Sequence, residues 1–448
     1  MSRLTSQALG MIVPKNYSKF LSGAFLTLPH YNVIYTTPLI NALSQICLDY
    51  NRAFDVLTHK NKEHESDYQY CVGPAGHVSP IVRIDMAGLD KEFLKASLEL
   101  SENDLITNLR GKIFEFENSF GAYQIIQNVG GEESFLKARF RAVLSTVRDK
   151  FSKPIALLAV TEEKFYSMRE CEFGKEKGEP LSNEEILEIS GFDAFMGPED
   201  FRKHLKENSN NCEYLLFVRS SNPVHKLKNP AVEISHPLLQ DEKVRKIIKA
   251  NTLTINIDPP TGNFDVMIND TKEYLPLMKS AFSVYSEADI FSEEMLIHVA
   301  KGKPYIEFIG ESLHEKFIAF LRALGVDVES IRNGNLQLRA KPMKGVYGCY
   351  GHVRGSLSDG RFRKSLRAGI RQRGGYVLQP EIPVPTIHNS DTDTEYVFID
   401  RNFFSFSGET VAFLGGIRNL LPTTSLEARE GRIHGNAEAV CAEIIAFP

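Results

Sequence analysis

The stretch KPMKGVYGCYGHVRGSL, residues 341–357, places three evenly spaced glycines directly after a lysine–proline pair. Glycine permits tight turns and close approach of the backbone to a ligand, and a lysine beside it suits an anion. The preceding residues, NLQLRAKP, alternate as a strand does. We therefore expect the glycines to lie in the loop of a β-hairpin, and not in the strand-to-helix loop of a phosphate-binding α/β unit.

Motifs of several well-known sites are missing from the chain. It has no GxxxxGK[ST], which excludes a P-loop, and no GxGxxG, which excludes the dinucleotide fingerprint and the protein-kinase loop. HExxH and GxSxG are absent as well. Two interpretations of the glycine loop remain open. It is either a flap whose amides cover phosphates, with Lys341 reaching them, or a solvated hairpin with a basic tip.

Strands and helices alternate in the middle of the chain and mix less regularly on either side. KPIALLAVT and CEYLLFVRSS read as strands, and NEEILEIS and PEDFRKHLKEN as helices, so this region predicts an α/β layer with a parallel sheet. The whole chain is therefore expected to be α+β with an α/β insert. We place domain boundaries at 1–150, 151–262 and 263–448.

Composition narrows the functional classes. The chain has 448 residues and a formal charge of -5, with no long single-sign block that would point to nucleic acid or an anionic membrane. No apolar run approaches the ~20 residues of a membrane span, and the first residues lack the apolar core of a signal peptide. Six cysteines lie far apart without a metal-ligand spacing. Reduced thiols and a cytoplasmic location are expected.

Two strands near the N-terminus carry acids. In VRID, Arg83 and Asp85 share one face because side chains alternate along a strand. In IFEFENSFG, Glu115 and Glu117 share a face, with Asn118 at the strand end. Unpaired buried carboxylates are costly, so the acids favour either a magnesium site or a salt-bridged or solvated sheet face. An arginine beside such a site could hold an acyl phosphate.

In their order along the chain, these motifs resemble the circularly permuted ATP-grasp ligases, most of all the synthetase domain of the glutathionylspermidine synthase family. There the metal-binding strands come first, and the Lys-Pro strand, glycine-rich loop and a glutamine strand come last. The later segments EYVFIDRNFF, GGIRNLLPT and RIHGN also resemble that family's closing region. The resemblance implies an ATP-grasp fold in permuted order, with residues 1–150 as the metal-binding half, 151–262 as a substrate domain and 263–448 as the ATP-binding half.

The resemblance also implies roles for single residues. Arg83 would be catalytic and would stabilise an acyl phosphate. The implied magnesium ligands come from Asp85, Glu115, Glu117 and Asn118. The implied ATP-binding residues are Lys341, Gly345, Gly348, Gly351, Gln379 and an earlier lysine, Lys279 or Lys303. Two further candidate ATP-binding residues come from the sequence itself: Lys344 in the glycine loop, and Glu381 in the strand YVLQPEI, whose polar groups could face an adenine edge.

The implied reaction joins a small-molecule carboxylate to an amine, such as an amino acid, peptide or polyamine, with release of ADP and phosphate. Three other interpretations stay open. Residues 354–373 are densely basic, with interleaved aromatic residues that could bind nucleic acid. The motif EFEN has no glutamate two residues before Asn118, which leaves room for a nonenzymatic ATP-grasp-like scaffold. A kinase-like enzyme that stops at phosphoryl transfer is the third.

Overall fold

The structure is a computed structural model. It describes residues 26–60, 81–117, 138–139, 142, 145, 155–159, 182–190, 192–207, 215–219, 274–286, 337–342, 352–356, 359–362, 364–366, 376–389, 393–407, 410–429, 431 and 440–446.

The described residues form strands and helices in nearly the mixed order that the sequence predicts. The strands are β1 Leu26–Tyr35, β2 Ile81–Ala87, β3 Ile113–Glu117, β4 Ile155–Ala159, β5 Ala194–Met196, β6 Leu215–Arg219, β7 Val284–Ser286, β8 Leu338–Pro342, β9 Val353–Gly355, β10 Tyr376–Pro380, β11 Thr386–Asn389, β12 Thr394–Ser407, β13 Thr410–Pro422 and β14 Val440–Ala446. The helices are α1 Thr37–Lys60, α2 Lys91–Ala96, α3 Glu102–Arg110, α4 Asn183–Ser190, α5 Pro198–Glu207 and α6 Leu426–Arg429.

The main sheet has seven strands drawn from both ends of the chain. Its order is β1-β14-β13-β12-β2-β3, and β11 also pairs with β12. The N-terminal strand β2 pairs with the C-terminal strand β12 over seven residues, from Ile399↔Ala87 to Ser405↔Ile81. Most neighbours are antiparallel, whereas β1 runs parallel to β14.

One face of the main sheet is the apolar core. Along α1, buried side chains recur at helical spacing and join one cluster with the alternate residues of β2. The members of this set are Leu39, Leu43, Ile46, Tyr50, Val82, Ile84 and Met86. Because strand side chains alternate, Arg83 and Asp85 lie on the opposite face. The core therefore fixes which face of the sheet carries the charged residues.

A second, four-stranded sheet has the order β7-β10-β8-β9. Strands β8 and β9 are antiparallel and consecutive among the described strands, which confirms the predicted hairpin around the glycine loop. The glycines Gly345, Gly348 and Gly351 lie outside the described residues, as does Lys344. At the end of β9, Gly355 packs closely on Phe362, because a Cβ at this position would come within 2.7 Å of that side chain.

A third sheet, β5-β4-β6, is parallel throughout, which confirms the α/β layer predicted for the middle of the chain. Together the three sheets and the helices agree with the expected mixed α+β class. The last part of the predicted 151–262 region, residues 220–262, lies outside the described residues, and the domain boundaries stay a prediction. No helix in the described part of the chain is long and apolar enough to cross a membrane.

Candidate functional site

A pocket lies where the main sheet meets the second sheet. Its cavity volume is about 80 Å³, and the pocket is partly open to solvent. The residues that line it are Asp85, Phe114, Glu115, Arg339, Lys341, His352, Glu381, Ile382, Val384, Ile399, Arg401 and Gly431. Four of the sequence-predicted site residues are thus brought together, although Asp85 and Lys341 lie far apart in sequence.

The floor of the pocket is the polar face of β2 and β3. Arg83 donates two hydrogen bonds to Asp85, from Nε at 2.7 Å and from one terminal nitrogen at 2.8 Å. Both side chains are buried. In the ladder, Asp85 pairs with Glu115 and Arg83 pairs with Glu117. Directly opposed residues share a face, so the backbone register places all four positions on the pocket side.

A register shift in β3 explains why two consecutive residues reach the pocket. Asp85 pairs with Glu115, but the next residue, Met86, pairs with Ile113, so Phe114 is an extra residue in the ladder. Such a bulge turns the strand locally and re-aims its side chains. Phe114 and Glu115, which are consecutive, both line the pocket at this bulge.

Arg401 adds a cation that the sequence motifs do not single out. It pairs with Asp85 across β12 and β2, and its Nε lies 3.8 Å from the carboxylate of Asp85. Its side chain is buried. The alternation of VFIDRNFF puts Arg401 on the same face as Ile399, but only the long-range pairing with β2 reveals that this face is the pocket.

Lys341 is held by the backbone of β3. Its ammonium donates to the carbonyl oxygen of Phe114 and lies 3.6 Å from a carboxylate oxygen of Glu115. The side chain is only 2% exposed. Nearby, the Gln379 amide donates to the carbonyl oxygen of Ile113 at 3.4 Å. Lys341 and Gln379, two of the residues predicted to contact ATP, thus join the second sheet to the bulged end of β3.

The rim of the pocket is an arginine–glutamate pair. Arg339 makes two hydrogen bonds to Glu381, at 3.0 and 2.7 Å, and Arg354 lies 3.4 Å from the same carboxylate. Gly431 has a φ of +68°, and a Cβ there would come within 2.6 Å of the Arg339 guanidinium. This contact favours glycine both for its left-handed backbone and for lack of space. Arg339 and Gly431 were not predicted from the sequence.

The remaining predicted residues lie elsewhere. Lys279 is exposed and does not line the pocket. Asn118 and Lys303 lie outside the described residues, and so does the side chain of Glu117. His352, to which the sequence assigned no site role, lines the pocket at the start of β9.

Two acidic side chains of the pocket could contribute ligands to a magnesium ion that also binds phosphates. Within the described part of the chain, no group of three or more His, Cys, Asp and Glu side chains could hold a metal. Magnesium, however, keeps several waters and is commonly bound by one or two carboxylates together with substrate phosphates. Asp85 and Glu115, opposed across the ladder and open to the pocket, provide two carboxylates.

The pocket combines both signs of charge. Arg339, Lys341 and Arg401 supply positive charge, while Asp85, Glu115 and Glu381 supply negative charge. Ile382, Val384 and Ile399 add an apolar wall. Such a site can bind a ligand that has a flat or apolar part, several anionic oxygens and an accompanying cation.

Compared with models of protein families, the chain gives no match, and it gives none among curated proteins.

Proposed function

We propose that the chain is an ATP- and magnesium-dependent carboxylate–amine ligase with an ATP-grasp fold in circularly permuted order. One observation carries the proposal. Two carboxylates on N-terminal strands and a lysine on the C-terminal hairpin meet in one pocket between the main sheet and the second sheet. That is the arrangement expected if the first part of the chain binds the metal and the last part binds the nucleotide.

Each side of the pocket has a distinct task in this proposal. Lys341 and Arg401 balance the charge of the ATP phosphates, and the Arg339–Glu381 pair with the apolar wall faces the nucleoside. Asp85 and Glu115 hold the magnesium ion, which when bound neutralises phosphate charge. Arg83, whose guanidinium is held by Asp85, contacts the acyl phosphate. The proposed roles of Glu117 and Asn118 as further metal ligands stay a prediction.

The proposed reaction has two steps. A substrate carboxylate oxygen attacks the γ-phosphorus of ATP, the bond to the β-phosphate oxygen breaks, and ADP leaves. An amine then attacks the acyl carbon, the carbon–oxygen bond to phosphate breaks, and the amine loses a proton as the amide forms. Because an acyl phosphate is already reactive, the protein contributes mainly positioning and charge balance.

The glycine loop between β8 and β9 is the proposed flap over the phosphates. Lys341 precedes Pro342, the last residue of β8, and residues 343–351 that follow lie outside the described part of the chain. A flap that excludes water protects an acyl phosphate from hydrolysis.

The test is ADP release from ATP and magnesium with a panel of amino acids, dipeptides and polyamines. Wild type is compared with Asp85→Asn and Lys341→Ala. Lys206→Ala is a matched control, because this lysine is exposed on α5 and does not line the pocket. We expect release that requires an acid and an amine together, lost in the two pocket variants and kept in the control.

Other outcomes separate the alternatives. Release that needs only a single substrate supports a kinase-like enzyme. ATP binding without turnover on a broad panel supports a nonenzymatic scaffold. No ATP binding in a thermal-shift titration contradicts the proposal.

A further inference from the structure

Strand β3 lies at the end of the main sheet among the described strands, so its outer edge has no ladder partner there. On this edge the backbone is bonded by side chains from elsewhere in the chain. Lys341 binds the carbonyl oxygen of Phe114, and Gln379 binds that of Ile113. Buried backbone groups require such partners.

Tyr274 completes this edge with a single hydroxyl. Its oxygen accepts a hydrogen bond from the amide of Phe116 at 2.7 Å and donates one to the carbonyl oxygen of Phe116 at 2.8 Å. A hydroxyl can do both, since it carries one donor and two acceptor lone pairs. Tyr274 therefore replaces, at one residue, the pair of bonds that a neighbouring strand would make.

The ring of Tyr274 is fixed by buried aromatic residues. It meets the ring of Tyr50 edge to face at 4.9 Å, and the ring of Phe116 at 6.0 Å and 87°. Tyr50 in turn stacks on Phe116 at 4.6 Å. Tyr274 is fully buried, so its hydroxyl is held in one place.

These bonds flank Glu115. Tyr274 binds the residue after it, Phe116, and Lys341 binds the residue before it, Phe114. The ladder with β2 is irregular at this point because Phe114 is the bulged residue. Register decides where strand side chains point, so contacts on both sides of Glu115 bear on where its carboxylate lies.

We propose that Tyr274 is a positioning residue that fixes the bulged end of β3 so that Glu115 faces Asp85. Its effect is to strengthen binding of a divalent cation by this carboxylate pair. The inference rests on the proposed function, because it takes Glu115 and Asp85 as the metal-binding carboxylates. Tyr274 itself lies outside the pocket lining and touches no substrate in this role.

The test uses Tyr274→Phe, which removes the hydroxyl and keeps the ring. Tyr50→Phe is the matched control, because it removes a hydroxyl from the same aromatic cluster while the two bonds from Tyr274 to β3 remain. Binding of Mn²⁺, alone and with ADP, is measured by electron paramagnetic resonance of the free ion. Hydrogen exchange of the peptide that covers residues 113–117 is measured in parallel.

We expect Tyr274→Phe to weaken Mn²⁺ binding by roughly 10–100-fold, the usual effect of removing a residue that orients a ligand. Exchange at Phe116 should become faster. The magnesium concentration that gives half-maximal ADP release should rise by a similar factor, with kcat at saturating magnesium nearly kept. Tyr50→Phe should remain within about twofold of wild type.

Faster exchange with unchanged Mn²⁺ affinity would overturn the inference, because Tyr274 would then only stabilise the edge of the sheet. Wild-type protein that binds no Mn²⁺ under either condition would overturn the metal site itself, and with it the role of Tyr274. The two failures are distinguishable, since only the second appears in the wild-type arm.

Discussion

A buried ion pair on the core side of the main sheet shows how single residues join distant parts of the chain. Arg418 and Asp400 share two hydrogen bonds, at 2.6 and 2.7 Å, and the phenol of Tyr35 donates to the same carboxylate at 2.7 Å. The backbone of Leu89 completes the set, with its amide bound to Asp400 and its carbonyl oxygen to Arg418. Burial lowers the pKa of the Arg418 guanidinium, but the charge of Asp400 and the hydrogen bonds to it raise that pKa by more, so the guanidinium stays charged.

Replacing one member should be costly because the other charge stays buried. We expect Arg418→Met to lower the free energy of unfolding by about 3–5 kcal/mol, measured by urea denaturation. The control is Arg202→Met, since the exposed Arg202–Glu199 pair is worth at most about 1 kcal/mol. Adding Asp400→Asn to Arg418→Met should recover part of the loss. A loss below about 1 kcal/mol in Arg418→Met would contradict the prediction.

Two buried acidic groups, a thiol and a phenol, have raised pKa values and should make the free energy of unfolding fall as pH rises in the alkaline range. Burial raises the pKa of the Cys47 thiol, and burial followed by the charge of Asp400 raises that of the Tyr35 phenol. Both keep their protons in the folded state while the unfolded chain loses them. The stability they contribute is therefore fully present below the unfolded pKa values and is lost as pH rises above them, from about pH 9.

The variant Cys47→Ala separates the contribution of the Cys47 thiol to the pH dependence from that of the Tyr35 phenol. Each such group should lower the free energy of unfolding by about 1.4 kcal/mol per pH unit above its unfolded pKa. The variant should therefore show a shallower fall between about pH 9 and 11 than wild type, in urea denaturation with reductant. Parallel curves for the two proteins would contradict the assignment, whatever the offset between them.

At the pocket, some residues were predicted from local alternation, and others, such as Lys341, from the resemblance in motif order. Arg83 and Asp85 could be placed on one face from a period of two alone. Arg401, Arg339 and Gly431 could not, because each reaches the pocket only through pairing with residues distant in sequence. Gly431 carries no local signal at all, since its requirement comes from the Arg339 guanidinium beside it.

At the scale of elements, the missed strands have sequences that argue against a strand. β1 contains Pro29, which cannot donate to a ladder, and its register shifts between Thr27 and Asn32. The middle of β14 carries the acidic side chain of Glu443, which is buried. Alternation in β2, where apolar residues and Arg83 and Asp85 take turns, was sufficient for prediction. Tertiary pairing decides the weaker strands, and no local pattern contains that information.

The packing of β2 against β12 leaves no room for a side chain at Gly88. A Cβ there would come within 2.1 Å of the Phe398 ring and 2.9 Å of the Phe398 carbonyl oxygen. We expect Gly88→Ala to destabilise the protein by about 1–3 kcal/mol, the cost of overpacking. Gly111→Ala is the matched control, because nothing lies within 4 Å of a Cβ at Gly111. Equal midpoints in urea denaturation for the two variants would contradict this account of the strand contact.

At the scale of the whole molecule, neither end of the chain can complete the main sheet alone. The N-terminal strand β2 lies between β3 and the C-terminal strand β12, and β1 pairs with β14. The core of α1 includes Phe404 and Phe413 from β12 and β13. The predicted boundaries between 1–150 and 263–448 therefore separate strands that share one sheet. This holds although the two regions contribute different groups to the pocket.

Fragments cut at the predicted boundaries should show this interdependence. We expect 1–150 and 263–448, expressed separately, to lack a cooperative unfolding transition, because each leaves the long edges of its strands and one side of the core exposed to water. Mixed at equal concentration, they should form a complex on gel filtration and regain strand signal in circular dichroism. Gly88→Ala in the first fragment should weaken that complex, whereas Gly111→Ala should not, since only the former position contacts β12. A fragment that unfolds cooperatively by itself would mean that its strands pair in a different way when alone, and that the shared sheet is not required for either part to fold.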